Sequence, residues 1–214
     1  MMGKKKILIY GDSNTHGFRV DNGLRYEPDE RWTGVCQRFI AGKADLLEEG
    51  LNGRLTCFDE PGMSFRNGLA YIEACVRSHL PLDMICVMLG TNDLKLPGMT
   101  AQIVARNAAR VLEKAREVTL SKYPDKSCEY TLIAPVQIGG ELTEGPFGCE
   151  FALSSIEVSK GFRQAFADEA QRCGFLYFDA SQYARPGDVD GLHLDVENHQ
   201  KLGRAFAAWL ENKI

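Results

Sequence analysis

Short apolar runs alternate with longer amphipathic stretches along the whole chain. Five of the runs have the length and composition of strands: residues 7–10, 45–51, 84–89, 130–134 and 175–179. The first and third stop at glycines, Gly11 and Gly90, and the fourth stops at Pro135. Glu48 and Glu49 interrupt the second run, which favours an edge position or an exposed end for that strand.

Helical spacing marks the segments that follow the strands. The predicted helices cover residues 32–40, 67–80, 100–119, 154–173 and 196–213. Strands that alternate with helical crossovers predict an α/β protein with a five-stranded parallel sheet covered on both faces. Because the sequence shows no internal repeat, low-complexity tract or linker, we expect a single domain over residues 1–214.

Composition narrows the range of partners. The chain of 214 residues is 44% hydrophobic and 25% charged, which is typical of a globular protein that works in water. Its net charge of −4 argues against nucleic acid or an anionic membrane surface as a partner. The apolar stretch behind Lys4, Lys5 and Lys6 is too short for a signal peptide or a membrane span.

Seven cysteines are scattered along the chain without a CxxC pair, and several lie in apolar patterns. This usage predicts free, mostly buried thiols in a reducing, cytoplasmic environment. No pair of cysteines has the spacing of a structural zinc site, so we expect no metal. The glycines after the first strand do not form a phosphate-binding loop, so no nucleotide cofactor is expected.

Four short polar stretches follow predicted strands or precede the last helix. They are Gly11-Asp12-Ser13, Asn52-Gly53, Gly90-Thr91-Asn92-Asp93 and Asp190-Gly191-Leu192-His193. In open α/β sheets, ligands bind beyond the carboxyl ends of the strands, where loops of this kind meet. We therefore expect the four stretches to lie at the same edge of the sheet.

These stretches contain the groups that acyl transfer requires. A serine hydroxyl is a weak nucleophile until a base takes its proton, and histidine suits that task near neutral pH. Ser13 is the candidate nucleophile, His193 the candidate base, and Asp190 the candidate acceptor that orients the imidazole. The backbone N–H groups of Ser13 and Gly53 and the amide of Asn92 are the candidate donors to an oxyanion.

Each assignment has a plainer alternative in the sequence. Ser13 could cap the next helix, and Asn92-Asp93 could be an ordinary turn pair. The other histidines are His16, which competes as the base, His79 at a helix end, and His199, expected to face solvent in the last helix. Asp188 and Asp195 compete with Asp190 as the orienting acceptor. The glycine-bearing loop at residues 137–151 is long enough to form a lid or a substrate wall.

The four stretches match, in order, the blocks of the SGNH (GDSL-type) hydrolase superfamily, which uses Ser, Gly, Asn and His in the roles given above. Three further segments, at residues 31–35, 48–54 and 80–83, resemble its bacterial arylesterase and acyltransferase (perhydrolase-like) branch. Asn14 and Thr15 stand where some acyltransferase members place a tryptophan, so hydrolysis is favoured over acyl transfer to other acceptors.

The resemblance implies a flavodoxin-like, three-layer α/β/α sandwich and often a homo-oligomer. Our own hypothesis from the sequence is that an oligomer would bury Phe147 and Phe151 against a neighbouring chain and narrow the acyl site. It implies a serine esterase that hydrolyses small, acetyl-type esters without metal or cofactor, with small-molecule substrates as partners. A carbohydrate O-deacetylase using the same residues is one alternative. A non-catalytic binding module on a hydrolase fold is the other, since fold alone does not determine function.

Overall fold

A five-stranded sheet lies between two helical layers in the computed structural model, which describes residues 3–214. Neighbouring strands are all parallel, in the order β2-β1-β3-β4-β5. The strands are β1 (Lys5–Gly11), β2 (Ala44–Gly50), β3 (Met84–Met88), β4 (Glu129–Ala134) and β5 (Leu176–Asp179). This order is that of flavodoxin-like sheets, so the predicted α/β class and the three layers are confirmed.

Seven α-helices accompany the sheet within residues 3–214. They are α1 (Ser13–His16), α2 (Trp32–Ile40), α3 (Gly68–His79), α4 (Ala101–Lys122), α5 (Ser154–Lys160), α6 (Phe162–Cys173) and α7 (Val196–Glu211). None of them combines the length and the apolar character that crossing a bilayer would require.

Alternation along the central strands divides the core into two clusters. On β1, Ile7 and Ile9 face one cluster, which includes Trp32 of α2 and Phe206 of α7. Leu8 and Tyr10 face the other, which includes residues of α3, α4 and α6. Because successive side chains of a strand point to opposite faces, one apolar strand supplies both cores.

The structure confirms one prediction about an element and differs from another in continuity. β2 lies at an edge of the sheet, as its glutamates indicated, and is only partly buried. The single helix expected over residues 154–173 is instead two helices that meet at Gly161. A Cβ at Gly161 would lie 2.9 Å from the Cβ of Ala101, so the break lets the chain pass close to the start of α4.

The expectation that His199 faces solvent is wrong. The side chain is fully buried, with Nδ1 accepting the Trp32 N–H at 3.2 Å and the Tyr26 ring packed edge-on against it at 5.1 Å between centroids. Burial lowers the pKa of His199 to about 3, so the imidazole is neutral. The His199 side chain therefore accepts a hydrogen bond from the Trp32 N–H, which has no partner within α2 because it lies in the first turn.

The cysteines are less buried than their sequence context indicated. All seven are free, but only Cys36 and Cys86 are fully buried, and Cys149 is exposed. The remaining four are partly buried, so the prediction of mostly buried thiols, which was based on apolar neighbours in the sequence, was too high.

Two buried aspartates hold the loops that follow β1 and β3. Asp12 caps α1, accepting the Asn14 N–H at 3.0 Å, and it makes the plainer interpretation of Ser13 as the cap unnecessary. Asp93 accepts the Thr56 N–H at 2.8 Å and also the Thr56 hydroxyl. Burial raises the pKa of each carboxyl group to about 6; at Asp93 the Thr56 hydrogen bonds lower the pKa and the charge of Asp12 raises it.

A carboxyl group whose pKa is higher in the folded than in the unfolded chain adds stability at low pH that is lost as the pH rises. The window for Asp93 runs from about pH 4 to about pH 6. We therefore predict that the free energy of unfolding of the wild type, minus that of Asp93→Asn, falls by roughly 2 kcal/mol from pH 4 to pH 7. Urea unfolding at each pH measures this difference, and a constant difference would contradict the assignment.

Candidate active site

Three predicted site residues form a continuous chain of hydrogen bonds. Ser13 is the first residue of α1, directly beyond β1, and His193 lies in the loop between β5 and α7. His193 Nε2 is 2.9 Å from Ser13 Oγ, and its Nδ1 is 2.6 Å from Asp190 Oδ2. Residues 180 positions apart in sequence are thus brought into contact.

Asp190 is buried and has more than one hydrogen bond to its carboxylate. Its Oδ1 accepts the backbone N–H groups of Leu192 and His193, each at 2.9 Å. Burial by itself raises the pKa of Asp190, but the hydrogen bonds and charge of His193 outweigh it and hold the pKa below the usual value. An ionised Asp190 accepts a hydrogen bond from the Nδ1–H group of His193, which leaves Nε2 free to accept one from the Ser13 hydroxyl.

The competing histidines and aspartates have other partners. His193, not His16, makes the hydrogen bond to Ser13. His79 pairs with Glu49 at 2.7 Å. Asp188 pairs with Arg185 at 2.9 Å, and Asp195 caps α7 through the Asn198 N–H at 2.8 Å.

The three predicted oxyanion donors line one cavity. The Ser13 N–H opens the first turn of α1, where backbone donors have no partner within the helix. Gly53 has a φ of +75°, a backbone conformation that residues with a side chain rarely adopt, so glycine is strongly favoured there. Asn92 Nδ2 donates one hydrogen to the Arg54 carbonyl at 3.3 Å, which leaves its second hydrogen available.

The cavity has a volume of about 550 Å³, and both apolar and charged side chains line it. Apolar groups come from Phe18, Phe147 and Phe151, and the Phe18 and Phe147 rings lie 4.7 and 5.4 Å from the His193 ring between centroids. Charged groups in the same lining form two ion pairs, Arg66–Glu60 at 2.7 Å and Lys95–Glu150 at 2.6 Å, and Lys95 Nζ lies 5.4 Å from the centroid of the Phe151 ring.

The loop at residues 137–151 forms part of the lining of the cavity. It contains two short 3-10 helices, Gly140–Thr143 and Gly148–Glu150, and contributes Phe147, Glu150 and Phe151 to the cavity. Phe147 and Phe151 also pack against the core of their own chain. Their contact with a neighbouring chain stays a prediction.

Sequence reasoning missed Asn14, which joins the two halves of the site. Its Nδ2 donates to the Leu192 carbonyl at 3.0 Å, and its Oδ1 accepts the Leu194 N–H at 2.9 Å. The side chain therefore holds the His193 loop against the residue that follows Ser13. Its position directly after Gly11-Asp12-Ser13 was the one available signal.

Arg54 was also missed as a positioning residue. It is buried over the Tyr10 ring, 3.9 Å from the ring centroid, and its Nη1 donates to the Gly11 carbonyl at 2.8 Å and to the carbonyl of Glu49. The turn that carries Gly53 is thereby fixed to the end of β1.

The chain is similar to known proteins in both sequence and structure. The model of the GDSL-like lipase/acylhydrolase family matches residues 9–201. A search of curated protein sequences gave no match. The matched segment contains all five predicted site residues.

Several solved structures are similar over nearly the whole chain. Est24, a carbohydrate acetylesterase from Sinorhizobium meliloti, is 28% identical with a TM-score of 0.89, covering 99% of this chain and 100% of its own. A carbohydrate acetylesterase family member from the same organism is 30% identical (TM-score 0.90; 97% and 98% covered). The aryl esterase of M. smegmatis is 27% identical (TM-score 0.87; 98% and 100% covered). The chain therefore belongs to the GDSL-like lipase/acylhydrolase family of carboxylic ester hydrolases.

Proposed function

We propose that the protein is a serine esterase that hydrolyses small, acetyl-type esters. The observation that carries the proposal is the hydrogen-bonded chain from Ser13 Oγ through His193 to Asp190, at 2.9 and 2.6 Å. A neutral imidazole oriented by a carboxylate is the arrangement that converts a serine hydroxyl into a nucleophile.

In the first step, Ser13 Oγ attacks the ester carbonyl carbon while its proton passes to His193 Nε2. The Asp190 carboxylate stabilises the imidazolium that forms, and it keeps its own charge because its pKa is lowered. The carbonyl oxygen becomes an oxyanion, held by the N–H groups of Ser13 and Gly53 and by the Asn92 amide. Collapse of the intermediate breaks the bond to the alcohol, which leaves with the proton from His193.

In the second step, water takes the place of the departed alcohol. His193 Nε2 removes a proton from the water as its oxygen attacks the acyl carbon. The second tetrahedral intermediate uses the same oxyanion donors, and its collapse returns the proton to Ser13 Oγ. The carboxylic acid is released, and each proton taken up by His193 has been given back.

The dimensions of the cavity support small substrates. A volume of about 550 Å³ must hold both the acyl and the alcohol part of the ester. The apolar part of the lining is limited to a few rings, Phe18, Phe147 and Phe151, and two ion pairs share the lining with them. A long acyl chain would have to desolvate these charged side chains, which is costly.

A carbohydrate O-deacetylase is the second candidate, and the same ion pairs favour it. A sugar hydroxyl can donate to the carboxylate and accept from the cation of one pair, so Glu150 with Lys95 is suited to a hydroxyl-bearing alcohol. Two carbohydrate acetylesterases among the similar structures support this alternative.

Replacement of the nucleophile tests the proposed mechanism directly. We predict that Ser13→Ala abolishes hydrolysis of p-nitrophenyl acetate, because no other group takes the place of Oγ. A fluorophosphonate should label Ser13 in the wild type and leave the variant unlabelled. Peptide mass spectrometry locates the label, and circular dichroism checks that the variant is folded.

Two results would contradict the mechanism. Turnover that survives Ser13→Ala would place the chemistry elsewhere. A folded wild type that neither reacts with small esters nor takes up the label would favour the non-catalytic binding module.

Asn92→Ala tests the oxyanion assignment. Loss of one donor that acts in the transition state should lower kcat on the order of 10²–10³-fold with little change in KM. Steady-state kinetics on p-nitrophenyl acetate measures both constants. If KM rises while kcat is unchanged, Asn92 binds the ground state and is not part of the oxyanion site.

Glu150→Gln separates the two candidate substrates. If acetylated sugars are the substrates, loss of this carboxylate should lower kcat/KM for an acetylated monosaccharide by about 10-fold or more, because a charge-assisted hydrogen bond is lost. The rate on p-nitrophenyl acetate should change by less than about 2-fold. Glu144→Gln, on the exposed part of the same loop, is the matched control. Equal effects on both substrates would count against a sugar-binding role for Glu150.

A further inference from the structure

A second group of reactive side chains lies outside the active-site cavity. Glu49 on β2 and Cys75 and His79 on α3 bring one ligand atom each to within 4.8 Å of one another. We call these residues the Glu49–Cys75–His79 cluster. None of the three lines the cavity that contains Ser13.

The local structure explains why these side chains meet. Cys75 and His79 are four residues apart on α3 and therefore share one face of the helix. That face lies beside the edge strand β2, from which Glu49 reaches His79, with 2.7 Å between Glu49 Oε1 and His79 Nε2. A surface cleft of about 420 Å³ is lined by all three residues. The side chains of His79 and Glu49 are 28% and 35% exposed, so an ion can reach them from solvent.

We propose that the Glu49–Cys75–His79 cluster is a binding site for a zinc ion. A thiolate, an imidazole and a carboxylate are the three ligand types that zinc takes from proteins. Three protein ligands leave one position of a tetrahedral ion for water, which suits a cleft open to solvent. With bonds of about 2.0–2.3 Å, the ligand atoms would lie about 3.3–3.8 Å apart, so small side-chain movements are enough.

The Glu49 carboxylate is available for this role, in contrast to its neighbour. Glu48 is held by Arg31 at 2.6 Å and by Arg25 at 2.9 Å. Within residues 3–214, the ion pair of Glu49 is with His79, one of the proposed ligands. Zinc binding would replace that hydrogen bond by two metal bonds and would not break a separate ion pair.

The charge of Arg54 is the main opposing feature of the cleft. Arg54 lies over the Tyr10 ring and donates to the carbonyls of Gly11 and Glu49, so its guanidinium is already engaged by acceptors. Burial and the Glu49 carboxylate raise the pKa of the Cys75 thiol to about 12, while Arg54 lowers it. Zinc must therefore displace the thiol proton to solvent when it binds.

The expectation of no metal rested on the spacing between cysteines. That spacing cannot reveal a site in which only one ligand is a cysteine. Cys75 and His79 have helical spacing in the sequence, but the third ligand comes from a strand 26 positions earlier. Only the pairing of β2 beside α3 brings it into place.

Metal binding is measured on the full chain carrying Cys149→Ser, which removes the exposed thiol as a competing ligand. Equilibrium dialysis with zinc should give about one ion per chain, and cobalt should give a thiolate-to-cobalt charge-transfer band. Cys75→Ser should abolish the band because it removes the thiolate. Cys75→Ser and His79→Gln should each weaken zinc binding by about 10-fold or more. Asp45→Asn, an exposed acidic residue on the same strand, is the matched control and should bind as the parent does.

Folding is checked through p-nitrophenyl acetate hydrolysis and thermal unfolding, which do not require metal in this proposal. Stoichiometric binding that needs both Cys75 and His79 would support the site. No zinc uptake by the folded parent would overturn it. Equal uptake by the parent and by the folded Cys75→Ser and His79→Gln variants would overturn it as well. Should either of these variants unfold, the parent's cobalt band decides alone, since its absence excludes Cys75 as a ligand.

Discussion

The side-chain amide of Asn14 bridges two loops that are far apart in sequence. One loop leaves β1 with Ser13, and the other precedes α7 with His193. Asn14 donates to the backbone at Leu192 and accepts from it at Leu194, so both sides of His193 are tied to the residue beside the nucleophile. A side chain held at two points has little freedom to rotate or slide. The 2.9 Å contact between Ser13 and His193 therefore depends on backbone geometry as well as on its own hydrogen bond.

The sheet and the meeting point of the loops could be predicted because both follow from local pattern. Apolar runs that stop at glycine gave β1 and β3, and the rule that parallel strands end at one edge gave the grouping of Ser13 and Asn92. The edge position of β2 could also be predicted, since Glu48 and Glu49 are unfavourable in a strand that is buried on both faces. These features need no knowledge of which side chains pack across the sheet.

The features that were not predicted depend on contacts between distant segments. His199 lies three residues before Leu202 and seven before Phe206, so it shares their buried face of α7, and its Nδ1 is paired there with the Trp32 N–H. The break between α5 and α6 depends on close packing of Gly161 against Ala101. Neither partner is near in sequence, so propensity and periodicity carry no signal of them.

The glycines of the loop at residues 137–151 are used for close packing. The Gly139 N–H donates to the Gly191 carbonyl at 2.8 Å, and a Cβ at Gly145 would lie 2.8 Å from the Cα of Asp190. The loop is thus packed against the backbone that carries Asp190 and His193. An outward movement of this loop would have to break its contacts with the backbone at Asp190 and Gly191. We therefore expect ester and product to enter and leave through the existing opening of the cavity, without movement of this loop.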